Sequence, residues 1–332
     1  MNLQFNLLVF IIISIFKCDS SQNRPRSPSK FEPQYNPRYR LNPTQLMLSN
    51  ELPPGDQTGQ ALEDFDARLT GRIVGGKTAQ EGDIQYQLRI EARTAPKRLR
   101  RCGASLVLAF GVQFGVTAAH CLTSRNDTKV TLSPKVVNII AGAYNVKNFT
   151  GREQRRNVTR LVIHHLYDSS DEHKRPFEDI GLVFFSSPFK VTKLISPILL
   201  PDQNWDQPDE VLLSGWGFTS SRGPKMRPDI LQTLWTPTIP IQFCKMNFEY
   251  DGIKLSERQI CNLKDKAGAC GGDSGGPAAA RNVTNRRWYL AGIASYNLGL
   301  CGSGMYPSVY VRVSSYINWI KRHVSDYKKA NK

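Results

Sequence analysis

Three short stretches of the chain carry side chains suited to nucleophilic chemistry. Residues 272–277 read GDSGGP, which sets Ser274 among glycines. Small neighbours let main-chain N–H groups come close to a reacting oxygen, as an oxyanion-stabilising site requires, although turns favour the same residues. Residues 117–121 read TAAHC and place His120, one of five histidines, beside a cysteine at the end of an apolar run. Residues 177–185 read FEDIGLVFF, so Asp179 leads directly into an apolar strand. A carboxylate in that position needs a partner, because burying an unpaired charge is costly. A serine, a proton-accepting histidine and a paired carboxylate are together the components of acyl transfer through an activated hydroxyl.

These residues must be held by the elements around them. The chain has 332 residues, 40% of them hydrophobic and 22% charged, which excludes a wholly disordered chain, a collagen-like fibre and a polytopic membrane protein. From residue 73 onward, short runs rich in Val, Ile, Leu and Phe alternate with Gly, Pro, Asn and Ser clusters. Examples are 135–141, 161–164, 180–185 and 211–214. This rhythm predicts an all-β barrel or sandwich. The exception is the C-terminus, at about 314–328. There Ser314 or Ser315 is suited to cap a helix that presents Ile317, Ile320 and Val324 on one face.

The N-terminal quarter differs. Residues 5–16 form an apolar run of 12 residues, too short for the ~20 needed to span a bilayer. With a small residue at Ser20, residues 1–20 read as a secretory signal. Residues 21–72 hold 7 of the 20 prolines and lack apolar periodicity over 21–42, which predicts a mostly disordered segment. Removing the signal removes Cys18. The six remaining cysteines, Cys102, Cys121, Cys244, Cys261, Cys270 and Cys301, then predict disulfides, with 15 connectivities open.

Taken together, the motifs resemble the chymotrypsin-like (trypsin-family) serine peptidases. The order His120, Asp179, Ser274 matches that family, as do RIVGG at 72–76, GWG at 215–217 and SVYVRV at 308–313. The resemblance runs from residue 73 to about 328. It implies two antiparallel six-stranded β-barrels, over roughly 73–198 and 199–313, with the site between them and a C-terminal helix. It also implies the family's roles. Ser274 attacks a peptide carbonyl, His120 relays the proton, Asp179 orients the imidazole, and the N–H groups of Gly272 and Ser274 hold the oxyanion. The disulfides selected by the resemblance are Cys102–Cys121, Cys244–Cys261 and Cys270–Cys301. The same resemblance makes Arg72–Ile73 the activation bond of a zymogen. Its cleavage frees the Ile73 amino group to pair with Asp273, and before cleavage the site should be malformed. Neither 21–72 nor Leu199 supplies a cysteine tether, so the pro-segment should be released.

In this family the pocket floor lies six residues before the nucleophile, here Gly268. Without a carboxylate there, a Lys or Arg substrate side chain is disfavoured. Asn297 and Ser308 stand at wall positions and narrow the pocket toward apolar residues of medium or small size. Self-activation at Arg72 is then inefficient, so a separate trypsin-like activating protease is expected, with protein inhibitors as further partners of a monomer. Residues 73–332 hold 36 basic and 21 acidic residues, net +15. Two clusters stand out: Arg93, Lys97, Arg98, Arg100, Arg101, and Arg152, Arg155, Arg156, Arg160. They suit an anionic glycan or an acidic segment. No nucleic-acid motif accompanies the charge, and no membrane association is expected. Sequons occur at Asn126, Asn148, Asn157 and Asn282. Of the family's calcium-loop carboxylates only Glu153 remains, with Ala143 and Thr150 at other positions, so no metal or other cofactor is expected. The alternative function is that of a non-catalytic homologue binding through its basic surface.

Overall fold

Each predicted apolar run closes a barrel because alternate side chains point inward and no strand edge is left unpaired. The computed structural model describes residues 73–95, 98–124, 130–169, 177–220, 226–282 and 284–331. The readings of 1–20 and 21–72, and those of Arg72, Lys97 and Asn126, lie outside them. The first barrel comprises β2 (Gln87–Ala95), β3 (Arg98–Ala109), β4 (Val112–Thr117), β5 (Val137–Ala141), β6 (Gln154–Ile163) and β7 (Gly181–Phe185), closed in the order β2-β3-β4-β7-β6-β5. The second comprises β8 (Glu210–Gly215), β9 (Gln232–Ile239), β10 (Gln259–Asn262), β11 (Pro277–Arg281), β12 (Trp288–Asn297) and β13 (Ser308–Arg312). Its order is β9-β10-β13-β12-β11-β8, with β8–β9 pairing completing the circle. All pairings within both barrels are antiparallel.

The chain ends cross between the barrels. β1 (Lys77–Thr78) pairs with β9 of the second barrel although it precedes the first. The C-terminal helix α2 (Ile317–Ala330) returns to the first, burying Ile320 and Val324, while Tyr327 stacks on Phe184 with ring centroids 4.2 Å apart. Lys328 and Lys329 fall in its last turn, where positive charge suits the helix dipole. The expected serine cap is corrected. The helix follows a 3-10 turn at Val313–Tyr316, its N-cap is Tyr316, and no side chain caps it. Ser314 is instead drawn into the second barrel's surface, donating to the Trp205 carbonyl at 3.2 Å and accepting from Arg312 Nε at 3.2 Å.

A second helix, α1 (Ile241–Glu249), went unpredicted. It buries Ile241, Cys244 and Phe248 on one face, while Phe243 and Met246 are exposed elsewhere, so apolar residues off that face blur the stripe in the sequence. The Cys244–Cys261 disulfide ties it to β10. Among the described residues, no helix is long and apolar enough to cross a membrane.

Candidate active site

Asp179 enters β7 from the barrel junction and is 1% exposed. Both of its oxygens serve His120. Oδ1 accepts the main-chain N–H at 2.9 Å and Oδ2 meets ring Nδ1 at 2.8 Å. Ser295, on β12 of the other barrel, donates its hydroxyl to Oδ2 at 2.6 Å. Burial alone raises the carboxyl pKa. The His120 charge and the hydrogen bonds from His120 and Ser295 outweigh it and hold Asp179 below the usual carboxylate range. An ionised Asp179 only accepts, so Nδ1 carries the proton and Nε2 is left as the acceptor.

His120 sits in a 3-10 turn, Ala119–Cys121, that follows directly on β4. The Cys102–Cys121 disulfide pins this turn to β3. Arg100, one turn of the pleat away on β3, donates Nη1 to the carbonyls of His120 and Thr123, each at 2.6 Å. Arg100 therefore does not belong to an exposed basic cluster. Charge alone put it there, and only the register of β3 reveals its inward role.

The nucleophile loop is strung between the barrels. Gly103 N–H of β3 donates to the Ser274 carbonyl at 2.8 Å. Gly275 N–H donates to the Ala294 carbonyl of β12 at 2.8 Å, and Ala294 N–H to the Gly276 carbonyl at 2.9 Å. Gly272 has φ +111°, and a Cβ there would meet the Gly217 Cα at 3.1 Å, so the turn that brings its N–H beside Ser274 admits glycine alone. Among the described residues no hydrogen bond joins Ser274 Oγ to the His120 ring. Such bonds are long in ligand-free sites and tighten around substrate.

At Gly268, expected as a pocket floor, a Cβ would lie 3.4 Å from Ser308 Oγ. Ser308 pairs with Asn297 across the β12–β13 register. Asn297 Nδ2 donates to the Ala269 carbonyl at 2.6 Å. The Cys270–Cys301 disulfide ties the segment of Gly268 and Ala269 to the stretch between β12 and β13.

Ile73 and Asp273 line one small cavity, and both are buried. Asp273 accepts the N–H of Gly217 at 2.7 Å and of Cys270 at 2.9 Å. These donors do not neutralise the carboxylate, and burial, only partly offset by them and by Arg227, pushes its pKa up to about 6. Ile73 itself has φ +61°, a conformation costly for a β-branched residue.

The basic surface is less open than its composition implied. Arg152 pairs with Glu81 at 2.7 Å, Arg156 donates to the Ser187 and Pro188 carbonyls, and Arg155 lies over Phe149. Arg93, Arg98 and Arg101 are exposed. Asn148 and Asn157 are exposed, whereas Asn282 closes a turn, its Oδ1 accepting from Thr284 and Asn285. Glu153 accepts the N–H groups of Thr150 and Gly151 at 3.0 Å each.

The sequence model of the Trypsin family matches residues 73–320. Trypsin-1 of Astacus astacus is 32% identical over 251 residues, covering 75% of this chain and 98% of its own. Cationic trypsin-3 of Rattus norvegicus is 30% identical over 266 residues, covering 80% of this chain and 92% of its own. Vitamin K-dependent protein C of Oryctolagus cuniculus is 30% identical over 282 residues, covering 82% of this chain and 56% of its own.

Proposed function

The chain belongs to the trypsin family of serine peptidases, and on that premise we propose that it is a secreted endopeptidase, made as a zymogen, that cleaves peptide bonds through an acyl-enzyme. The observation that carries this reading is the double hydrogen bond from His120 to a buried, ionised Asp179. It leaves Nε2 as the base for Ser274. In the proposed reaction, Ser274 Oγ adds to the substrate carbonyl as Nε2 takes its proton. The tetrahedral oxyanion accepts the N–H groups of Gly272 and Ser274, each worth roughly 3–4 kcal/mol in the transition state. His120 then returns the proton to the leaving amine, and water repeats the sequence on the acyl-enzyme.

The proposed maturation removes residues 1–20 as a signal and 21–72 as a pro-segment, leaving 73–332 as the peptidase. One observation supports cleavage at Arg72–Ile73: among the described residues the buried Asp273 has no cation within ion-pair distance, and burial outweighs the lowering effect of the Arg227 charge. The freed ammonium would supply the missing charge.

For the residue before the cut, we read an apolar preference of medium or small size. Gly268 offers no carboxylate, and Asn297, fixed by its bond to the Ala269 carbonyl, puts a side chain at the expected wall position. Two of the relatives above carry the name trypsin, but Gly268 at the proposed floor of this pocket offers nothing to neutralise a cation. A separate trypsin-like activator at Arg72 follows. An active-site fluorophosphonate tests the enzyme reading: the Arg72-cleaved protein should be labelled at Ser274, and the label should vanish in Ser274→Ala. An unlabelled, correctly processed protein would refute it.

A further inference from the structure

Two cations beside the nucleophile have no part in the chemistry so far. Side chains alternate across β3. Arg100 and Cys102 face the turn of His120. Gly103 faces the other way, where a Cβ would come within 2.6 Å of the Gly276 Cα on the nucleophile loop. Arg101 shares that second face and is exposed. Across from it, the Arg227 guanidinium lies over the Phe218 ring, 4.6 Å from its centroid. Arg227 Nη1 is 3.1 Å from the place a Cβ of Gly272 would take. Burial lowers the Arg227 pKa, and the nearby charges of Arg101 and Arg89 lower it further, against a smaller opposing effect of Asp273. Arg89 is paired with Glu91 at 2.9 Å. Among the described residues, neither Arg101 nor Arg227 has a carboxylate within ion-pair distance.

The place of this pair defines its use. On the peptidase reading, the residues Gly268, Asn297 and Ser308 serve the acyl side of the substrate, and the leaving amine takes its proton from His120. Strand β3 borders that second side, bonding the His120 carbonyl through Arg100 and the Ser274 carbonyl through the Gly103 N–H. Arg101 stands two residues up that strand and Arg227 stands against Gly272, so both cations border the path of the residues that follow the scissile bond. We propose that Arg101 and Arg227 form a subsite for a carboxylate side chain on the leaving-group side, selecting bonds followed within one or two residues by Asp or Glu. The proposal rests on the peptidase reading above.

The test uses the Arg72-cleaved enzyme and matched peptides that differ only in Glu, Gln or Lys at each of the first three positions after the scissile bond. Exposed ion pairs are weak, so kcat/KM should fall in the order Glu, Gln, Lys, with an overall ratio of about ten. That ratio should shrink in about 0.5 M salt, where the Debye length falls to about 4 Å. Arg101→Gln and Arg227→Gln should each move it toward one, and Arg101→Glu with Arg227→Glu should invert it. The ratio is internal to each variant, so a general loss of activity does not imitate the effect. A ratio indifferent to these substitutions overturns the subsite while leaving the peptidase intact. Heparin retention lost on substitution, with the peptide ratio unchanged, assigns the pair to an anionic glycan and also overturns it. If no peptide of any charge is cut, the peptidase reading fails and the subsite with it.

Discussion

Arg100 holds the main chain of His120: a single guanidinium nitrogen bridges the carbonyls of His120 and Thr123 at 2.6 Å each. The base of the site is thus positioned by a charge on the neighbouring strand as well as by Asp179. Arg100→Ala leaves two carbonyls without their donor. We expect a stability loss of about 1.5–3 kcal/mol, the scale of a charge-assisted hydrogen bond. We also expect kcat to fall about ten-fold through misplacement of the imidazole. Urea unfolding and steady-state kinetics check both, and an unchanged kcat would remove Arg100 from the positioning set.

Ser295→Ala removes one of the hydrogen bonds that keep Asp179 ionised. The folded pKa of Asp179 lies below its unfolded value. Its contribution to stability is therefore present above the unfolded pKa and is lost as pH falls through the folded one. Removing Ser295 Oγ raises the folded pKa, so acid unfolding should begin at higher pH in the variant. Acid titration followed by circular dichroism reads this. An identical acid midpoint would show that Ser295 does not tune Asp179.

Asp273 has the opposite sign. Its pKa of about 6 in the chain joined at residue 73 exceeds the unfolded value near 3.9. Stability from this group is full below the unfolded pKa and declines as pH rises through about 6, by about 3 kcal/mol in all. Cleavage at Arg72 supplies a cation and should remove that decline. Unfolding of the Ser274→Ala protein at pH 5 and 8, before and after cleavage, with Asp273→Asn to isolate the group, measures it. Equal pH dependence in both forms would argue against the ion pair.

Gly268→Asp should redirect cleavage toward Lys and Arg. The new Cβ meets Ser308 Oγ at 3.4 Å and the Gly302 main chain at 3.8 Å, so the Cβ itself is accommodated. Peptides with Lys or Arg before the cut should gain at least ten-fold over wild type, the value of one buried charge pair made whole. No gain would mean that Gly268 is not the floor.

Much of this was legible in the residues. The aspartate before an apolar strand announced itself by breaking a local rule, whereas GDSGGP and TAAHC are ordinary alone and became legible only in their shared order along the chain. The strand runs at 180–185 and 211–214 emerge as β7 and β8 because both are buried along their length. Other features depend on tertiary register. Arg100 and Arg101 are adjacent arginines in one basic run, yet the pleat sends one to His120 and the other to the cleft. Ser295 carries no local signal, because its role exists only where β12 meets the first barrel. Helix α1 hid because exposed Phe243 and Met246 blur its short apolar stripe, and Ser314 looked like a cap because the pull of Trp205, 109 positions away, is invisible in sequence.

The most direct test of the central claim is a cleavage-site profile. The chain is cut at Arg72 by an external protease, that protease is removed, and a diverse peptide mixture is offered beside a Ser274→Ala control. The account predicts cuts after apolar residues, absent from the control. Cuts after Lys or Arg alone would contradict the pocket, and no cuts by protein that correctly begins at Ile73 would contradict the enzyme.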